Sequence, residues 1–388
     1  MASSNTLIPA GEASKEPPKI KRKRSPLSPK PILDSKLLQE ELLANDILLK
    51  PNHLDTFYQL LHRFEYPPLD EFINHYNNQD FIKSTNETSK GESHAPNSKE
   101  SDVQKKRRRN VRQLPRAFLD YLSSPNCNFV TLTTTVQSRP TSSDQTTTKL
   151  AIQLQDGHVV ESVLMRHFSR DGARATVCVS SQVGCAMACT FCATGTMGIR
   201  GNLCEGEILE QLVHAGRILK EEVRDGIQVV PEFSNQDDGT TKQLEHVRNV
   251  VFMGMGEPLN NYYNVVHACR AMLDRRRWNL AHGRVTVSTV GVTPKMRGLT
   301  RDLPEVNLAL SLHAPTQAKR VEIVPTAKQY PIEDMIQALD EHMMVGREGQ
   351  DRKIVSKRRR AMIEYVMSKY TTKKLLRSVC VSLRKIRT

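Results

Sequence analysis

The sequence lacks the features that would place the protein in a membrane or outside the cell. No run of about eighteen apolar residues occurs within its 388 residues, so we expect no membrane-spanning helix. The N-terminus has no apolar signal core, which argues against secretion. Glu12 and Glu16 also weaken an organelle transit peptide without excluding one. We therefore expect a cytoplasmic protein, with the organelles and the nucleus left open.

Acidic residues are scarce at both ends of the chain, and that is where its positive charge lies. Residues 352–388 contain a single acid, Glu364, among thirteen basic residues, and residues 1–30 and the run Lys105–Arg109 are also strongly basic. The whole chain carries 56 Lys+Arg against 42 Asp+Glu, a formal charge of +14, so the remaining body is mildly acidic. Overall basicity therefore does not predict a basic nucleic-acid platform on the folded body.

Composition and hydrophobic periodicity divide the chain into six segments. We expect a disordered basic tail at 1–32, a helical accessory module at 33–79, a basic linker at 80–112, a helix with a β-meander at 113–170, an α/β body at 171–367 and a divergent basic tail at 368–388. The run Lys19–Arg24 is explained equally well as a nuclear address, a loose RNA contact or a solvated tail.

Strand-like and helix-like patterns alternate through the α/β body. Strands are predicted at Ala173–Ser180, His246–Met253, Arg284–Ser288, Val306–Leu312 and Met362–Met367, each but the last followed by a predicted helix. Before them, Phe129–Val136, Thr148–Leu154 and Val159–Met165 predict a meander, with Asp156-Gly157 as a hairpin turn. Alternating strands and helices indicate a parallel sheet with crossover helices, whose chemistry lies at the carboxyl ends of the strands.

Cysteine is unevenly distributed. Four of the eight cysteines lie between residues 178 and 192, and Cys204 follows closely. Such bunching argues for metal or redox chemistry in a reducing compartment rather than for a secreted disulfide framework.

Three of these cysteines, Cys185, Cys189 and Cys192, have the spacing C-x3-C-x2-C, with Phe191 just before the third. Three thiolates on one loop can hold three irons of a [4Fe–4S] cluster and leave the fourth iron open for chemistry. A structural zinc site or buried free thiols remain the alternative. The zinc reading is the weaker one, because the chain contains no second C-x2-C unit.

Several motifs in a fixed order resemble one family. They are Arg174–Cys185, Met253–Pro258 (MGMGEP), Arg284–Thr289 (RVTVST) and Ser311–Pro315 (SLHAP). The first motif ends at the first cysteine of the loop, and the other three follow the loop. Residues 173–345 resemble the RlmN/Cfr family of radical S-adenosylmethionine (SAM) RNA methyltransferases, and a weaker likeness extends back to Leu114. The resemblance implies a partial (β/α)6 radical-SAM barrel, preceded by a small helical accessory domain and a short β-meander.

The resemblance also implies an activity, cofactors and partners. The activity is methylation of C2 of an adenine in large-subunit rRNA, and in some tRNAs, through a 5′-deoxyadenosyl radical. The cofactors are a [4Fe–4S] cluster on Cys185, Cys189 and Cys192, and SAM. The implied partners are the RNA and an electron donor of the flavodoxin or ferredoxin type, and the chain is expected to be a monomer without a membrane partner.

The resemblance assigns roles to further residues by their position in the motifs. The expected SAM contacts are Gly256, Glu257, Ser288, Ser311, Leu312 and His313. Cys178 matches the cysteine that resolves a protein–RNA crosslink, and Glu161 matches the acceptor of the C2 proton. From the residues alone, the Gly-x-Gly turn could be an ordinary strand-to-helix connection, His313 a satisfied histidine, Cys178 a buried thiol and Glu161 an exposed strand carboxylate.

The chain departs from the family near its end. The family carries the transferred methyl group on a cysteine in a late Cys-Gly segment, and none of the eight cysteines here is followed by glycine. The likeness stops after Met367, and we expect no sixth strand, a basic insertion near 352–360 and a C-terminally truncated or alternatively spliced product. Cys380 lacks the neighbouring glycine and is not expected to replace the carrier.

This departure leaves three functional hypotheses. The first is a radical-SAM adenine-C2 RNA methyltransferase. The second is a catalytically impaired RNA-binding or regulatory isoform, and the third is a different radical-SAM reaction.

Overall fold

The computed structural model describes residues 24–78, 114–169, 172–227, 243–344 and 361–366. The predicted linker at 80–112, the tail at 368–388 with Cys380, and most of the tail at 1–32 lie outside the described residues. Within the described residues, no helix is long and apolar enough to cross a membrane.

Four helices and two short strands precede the main sheet. They are β1 (Lys30–Pro31), α1 (Ser35–Ala44), α2 (Pro51–Arg63), α3 (Leu69–Asn77), α4 (Arg116–Leu122) and β2 (Phe129–Val130). The Asp34 side chain caps α1 by accepting a hydrogen bond from the Leu37 amide at 3.0 Å. Phe57 packs edge-on against Phe72 and Phe118, with ring centroids 5.2 and 5.0 Å away, and so joins α2 to α3 and α4.

The meander is formed by β3 (Thr135–Ser138), β4 (Thr147–Gln153), β5 (Val159–Ser169) and β6 (Gly172–Cys178), all antiparallel. The single strand predicted at Phe129–Val136 is wrong, because β2 pairs with β1 while β3 pairs with β4. Between them the backbone amides of Thr133 and Thr134 turn toward the buried carboxylate of Glu210, at 3.0 and 2.8 Å.

The second half of the chain alternates strands and helices as predicted. Its elements are β7 (Gln182–Gly184), α5 (Ala193–Thr196), β8 (Ile199–Asn202), α6 (Glu205–Arg224), β9 (Val247–Phe252), α7 (Tyr262–Leu273), β10 (Val285–Thr289), α8 (Thr293–Asp302), β11 (Asn307–Ser311), α9 (Gln317–Ile323), α10 (Ile332–Met344) and β12 (Met362–Glu364).

One sheet of eight strands, in the order β12-β11-β10-β9-β6-β5-β4-β3, runs through the described residues. The pairs β6–β9, β9–β10, β10–β11 and β11–β12 are parallel. Within the described residues this sheet does not close on itself, which agrees with a partial barrel, and the predicted fold class is confirmed. The predicted lack of a sixth parallel strand concerns residues outside those described.

The two faces of this sheet differ in character, and the strand register assigns each residue to one of them. Val177, Val250, Val287 and Leu308 alternate onto one face, are almost fully buried, and lie in the same hydrophobic core as helices α6, α7, α8 and α10. The opposite face carries Glu161, Cys178, Ser288, Ser311 and Glu364. Period-2 alternation therefore collects the polar side chains on the face turned away from the helices.

Candidate active site

The cysteine loop connects the two strands of a small hairpin, β7 and β8. Gly184 ends β7 with φ of 76°, and a Cβ atom there would lie 1.8 Å from the Gly198 carbonyl oxygen. Only glycine fits this backbone approach. The Cys185 amide donates to that same carbonyl at 3.2 Å, and the Thr190 amide donates to the Ile323 carbonyl at 2.9 Å. The loop is thus fixed both to its own hairpin and to α9.

The three thiols of the loop lie close enough to influence one another. Cys185 and Cys189 are buried and Cys192 is half-buried. Burial, together with the negative charge of the neighbouring Cys185 and Cys192 thiolates, raises the pKa of Cys189 to about 11. Burial raises the pKa of Cys185 as well. Three mutually repelling thiolates in a partly buried loop need a cationic centre between them, which suits an iron–sulfur cluster.

No three His, Cys, Asp or Glu side chains in the described ranges converge on a point where a single metal ion could bind. A cubane cluster attaches each thiolate to a different iron, so its ligands do not have to meet at one point. The three thiols of this loop are therefore donors of the type that a cluster requires.

The turn after β9 lies beside the cysteine loop. Gly256 has φ of 103°, and a Cβ atom there would lie 2.6 Å from the Cβ atom of Gln182. Glu257 is 2 % exposed, and its two carboxylate oxygens accept hydrogen bonds from the amides of Leu259 at 3.0 Å and Val290 at 2.9 Å. Burial raises its pKa, and these hydrogen bonds counteract the shift. The Gly-x-Gly-Glu turn thus places a buried carboxylate beside the cysteine loop.

Ser288 and Ser311 meet at the carboxyl ends of β10 and β11. Their hydroxyl oxygens are 3.0 Å apart, and both bond to the Glu364 carboxylate, at 2.9 Å from Ser288 and 2.6 Å from Ser311. Glu364 reaches them from β12, where it pairs in register with Ser311. The structure therefore brings together the two predicted serines and adds an acid that the motif analysis missed.

Leu312 and His313 continue from β11 into the site. The Leu312 side chain is buried, whereas His313 adopts a positive φ of 60° and presents its ring edge to Phe191, with centroids 4.7 Å apart. Burial lowers the pKa of His313 to about 4, so its imidazole is neutral at neutral pH. Its buried Nδ1 atom has no hydrogen-bond partner in the described residues. An unsatisfied polar atom beside the cysteine loop is a position that a polar ligand would satisfy.

Cys178 and Glu161 share one face of the sheet. Cys178 pairs with Val163, two residues beyond Glu161 on β5, so both side chains project the same way. Burial raises the pKa of the Cys178 thiol to about 11. Glu161 is half exposed, and Lys149 on β4 pairs with its carboxylate at 2.5 Å. Glu161 is therefore accessible to solvent, while Cys178 is a shielded, neutral thiol.

Arg320 on α9 is a site residue that sequence reasoning missed. Its side chain is fully buried and donates to the carbonyl oxygens of Leu312 at 3.1 Å and of Val290. Burial lowers its pKa to about 10, and Cys189 and Glu257 oppose that shift by their negative charge. Its Nη1 atom has no partner in the described part of the chain. The only sequence signal was one basic residue next to Val321, Ile323 and Val324.

No family model matches the chain. Dual-specificity RNA methyltransferase RlmN 1 of Myxococcus xanthus is 40% identical over 197 residues, which are 51% of this chain and 48% of that protein. A probable RlmN of Moorella thermoacetica is 41% identical over 204 residues, 52% of each protein. The chain thus spans about half the length of the curated relatives it matches.

A solved structure extends the likeness to the fold. A radical SAM methyltransferase from Sphaerobacter thermophilus has a TM-score of 0.59 and 26% identity, covering 91% of this chain and 82% of that one. Over the half that it shares with its curated relatives the chain is RlmN-like, and its fold is that of a radical-SAM methyltransferase.

Proposed function

We propose that the chain methylates C2 of an adenine in large-subunit rRNA, and in tRNA, as a radical-SAM enzyme. The observation that carries this proposal is the placement of the cysteine loop against the Gly256–Glu257 turn and the His313 ring, next to the carboxyl ends of the parallel strands. RlmN relatives that are named dual-specificity RNA methyltransferases support an RNA substrate, and one is named a ribosomal RNA large subunit methyltransferase.

Cys185, Cys189 and Cys192 would hold the [4Fe–4S] cluster. That group supplies, when bound, the electron that opens SAM reductively. The neighbouring side chains then have to bind and orient SAM and exclude water. Phe191 contributes apolar surface for this purpose, because its ring contacts the His313 ring, with centroids 4.7 Å apart.

Glu257 is suited to bind the ammonium group of SAM's methionine. A carboxylate accepts about four hydrogen bonds, and the Glu257 oxygens already receive those of Leu259, Val290 and the Thr289 side chain. One acceptor position remains for a cationic donor. Gly256 lets this turn pack closely against Gln182, because a Cβ atom at residue 256 would lie 2.6 Å from the Gln182 Cβ atom.

Ser288, Ser311 and His313 are suited to the sugar and base of SAM. Each serine oxygen retains acceptor capacity beyond its bond to Glu364, and the neutral His313 ring can donate or accept. Hydroxyl and imidazole groups at neighbouring strand ends provide several short hydrogen bonds without adding charge.

Cys178 and Glu161 are suited to the later steps. There a base takes the proton from C2, and a thiolate bonds to the sulfur that is linked to the RNA, so that a disulfide forms as the sulfur–carbon bond breaks. A thiol of pKa about 11 is protonated at neutral pH, so Cys178 attacks only when a base accepts its proton. Glu161 is exposed enough to meet an RNA base, and its carboxylate lies 2.5 Å from the Lys149 ammonium group.

The test is to reconstitute the full chain with iron and sulfide, add SAM, a reductant and an rRNA fragment, and measure 2-methyladenosine by mass spectrometry. The Cys189→Ser variant is the matched control, because it removes one proposed iron ligand. Formation of 2-methyladenosine that the variant abolishes supports the proposal. Production of 5′-deoxyadenosine without a methylated base would instead indicate another radical-SAM reaction.

A noncatalytic RNA-binding protein is the second candidate. Such a protein would keep the cysteine loop and bind RNA without transferring a methyl group. Mass spectrometry of the protein after reaction with labelled SAM separates the two candidates. A methylated cysteine favours the enzyme, and its absence together with retained RNA binding favours the second candidate.

A further inference from the structure

A cavity of about 630 Å³ lies at the amino-terminal ends of the parallel strands. It is bounded by α2, by α6, by the first residues of β6 and β9, and by the loop between α7 and β10. The cysteine loop lies at the opposite ends of the same strands, and a strand of six residues such as β9 spans roughly 20 Å. The cavity is therefore separate from the candidate active site, and its volume is that of a small-molecule or nucleotide site.

The cavity is lined by eight lysine and arginine side chains and by only two acids. Arg174, Arg248, Arg275 and Arg284 are exposed, and none forms an ion pair with a described residue. Arg217 donates only to backbone carbonyls, those of Glu65 and Tyr66 at 3.1 and 2.9 Å. Because the body of the chain is mildly acidic, this concentration of uncompensated guanidinium groups in a concave surface focuses a positive potential there.

Aromatic rings lie among these cations. Trp278 is half-buried and stacks on Tyr66, with the rings 18° from parallel and 6.1 Å apart. His62 contacts both rings. Guanidinium groups bind phosphate in a bidentate manner, and aromatic rings stack on nucleobases, so the combination matches the parts of a nucleotide.

We propose that this cavity binds the phosphate chain of a nucleotide ligand, with its base beside Trp278. Two sources supply that chemistry, a strand of RNA and a free nucleotide. An acidic electron-transfer protein fits less well, because it would have to approach the cysteine loop at the other end of the strands. Binding here requires neither SAM nor methyl transfer, so the inference stands apart from the proposed activity.

Trp278 provides the readout, since it is the only tryptophan in the sequence. The full, cluster-reconstituted chain is titrated with a single-stranded oligoadenylate, with ATP, with inorganic phosphate and with polyglutamate while Trp278 fluorescence is recorded. We expect a saturable fluorescence change with at least one of the two nucleotide probes. The double variant R275S/R284S should weaken that binding about tenfold, or about 1.4 kcal/mol. For RNA it should also reduce the salt slope by about 1.4, since two phosphate contacts are lost.

The control variant is R116S/R301S, which removes the same charge from two exposed arginines outside the cavity. Thermal unfolding of both variants confirms that they fold. Tighter binding of oligoadenylate than of ATP identifies RNA as the ligand, and the reverse identifies a free nucleotide. The proposal is overturned if Trp278 fluorescence does not respond to either nucleotide, if phosphate or polyglutamate binds equally well, or if the two double variants lose equal affinity.

Discussion

At the scale of single residues, the candidate site depends on polar groups that are buried deeply and held by few partners. Arg320 illustrates this, because its guanidinium connects α9 to the carbonyl oxygens that follow β10 and β11. Burying a cation without a carboxylate partner is costly, so the hydrogen bonds that it makes have to be retained. The negative charges of Cys189 and Glu257 favour the charged form of the Arg320 side chain, against the effect of burial on its pKa.

We predict that Arg320→Ala lowers the free energy of unfolding by about 3 kcal/mol, because buried carbonyl groups lose their donor and a cavity forms. Urea denaturation measures the effect. The adjacent exposed Lys319→Ala is the control and should change stability by less than about 0.5 kcal/mol. Equal effects of the two substitutions would contradict the structural role of the Arg320 side chain.

The partly buried thiol of Cys178 gives a pH-dependent prediction. Its pKa of about 11 lies above the ordinary range, so the thiolate is scarce at pH 7 to 9 in the folded chain. Iodoacetamide should therefore alkylate Cys178 slowly in that range and faster as the pH approaches 11. In urea the same cysteine should react at the rate of an ordinary thiol with a pKa of about 8.5. Peptide mass spectrometry measures both rates, and fast labelling of the folded chain at pH 8 would refute the shift.

At the scale of elements, the β7–β8 hairpin decides whether the three cysteines are presented together. Gly184 lies so near the Gly198 carbonyl that a Cβ atom at residue 184 would overlap the carbonyl oxygen. The loop is then fixed to α9 through Ile323. A hairpin of seven strand residues in total thus positions all three thiols.

Two glycines of this hairpin offer a matched pair of substitutions. Gly184→Ala should destabilise the chain by roughly 3 kcal/mol and reduce its iron content, because Cβ would overlap the Gly198 carbonyl oxygen. Gly198→Ala meets no atom within 4 Å and carries only the cost of a positive φ, about 1 kcal/mol. Iron per chain after reconstitution and urea unfolding measure both variants. A larger loss of iron in Gly198→Ala would count against this account.

The elements themselves were largely predictable from the sequence, whereas several of their contacts were not. The strands β9, β10 and β11 and the helices α7 and α10 follow from hydrophobic periodicity, since each buries one regular face. The break between β2 and β3 was not predictable, because it depends on Glu210, which comes about eighty residues later in the chain. Glu364 and Arg320 were missed for the same reason, since their importance comes from distant partners.

At the scale of the whole molecule, the helices of the N-terminal region and the sheet are joined by one continuous hydrophobic core. It extends from Ile32 through Phe57 and Phe118 to Val250 and Leu339. The cavity lined by arginines is built across the same junction, from α2, α6 and a loop far away in sequence. No local pattern could have predicted it, because its residues come together only after folding.

This shared core predicts a single cooperative unfolding transition for the described parts of the chain. Trp278 fluorescence and far-UV circular dichroism should show the same urea midpoint, although Trp278 lies near the N-terminal helices and most strands lie elsewhere. Phe57→Ala should lower the free energy of unfolding by about 3–5 kcal/mol. Both midpoints should then move together to a lower urea concentration. The exposed Leu48→Ala is the control. Two separate transitions would show that the helical region unfolds independently.

The two-faced sheet also restricts how this sequence can change during evolution. In β11, Leu310 enters the core while its neighbour Ser311 reaches the candidate site, and β10 repeats the pattern with Val287 and Ser288. Loss or gain of one residue within either strand would exchange the two sets of side chains and disrupt core and site at once. Insertions and deletions are therefore confined to the loops, whereas substitutions can alter the strands one face at a time.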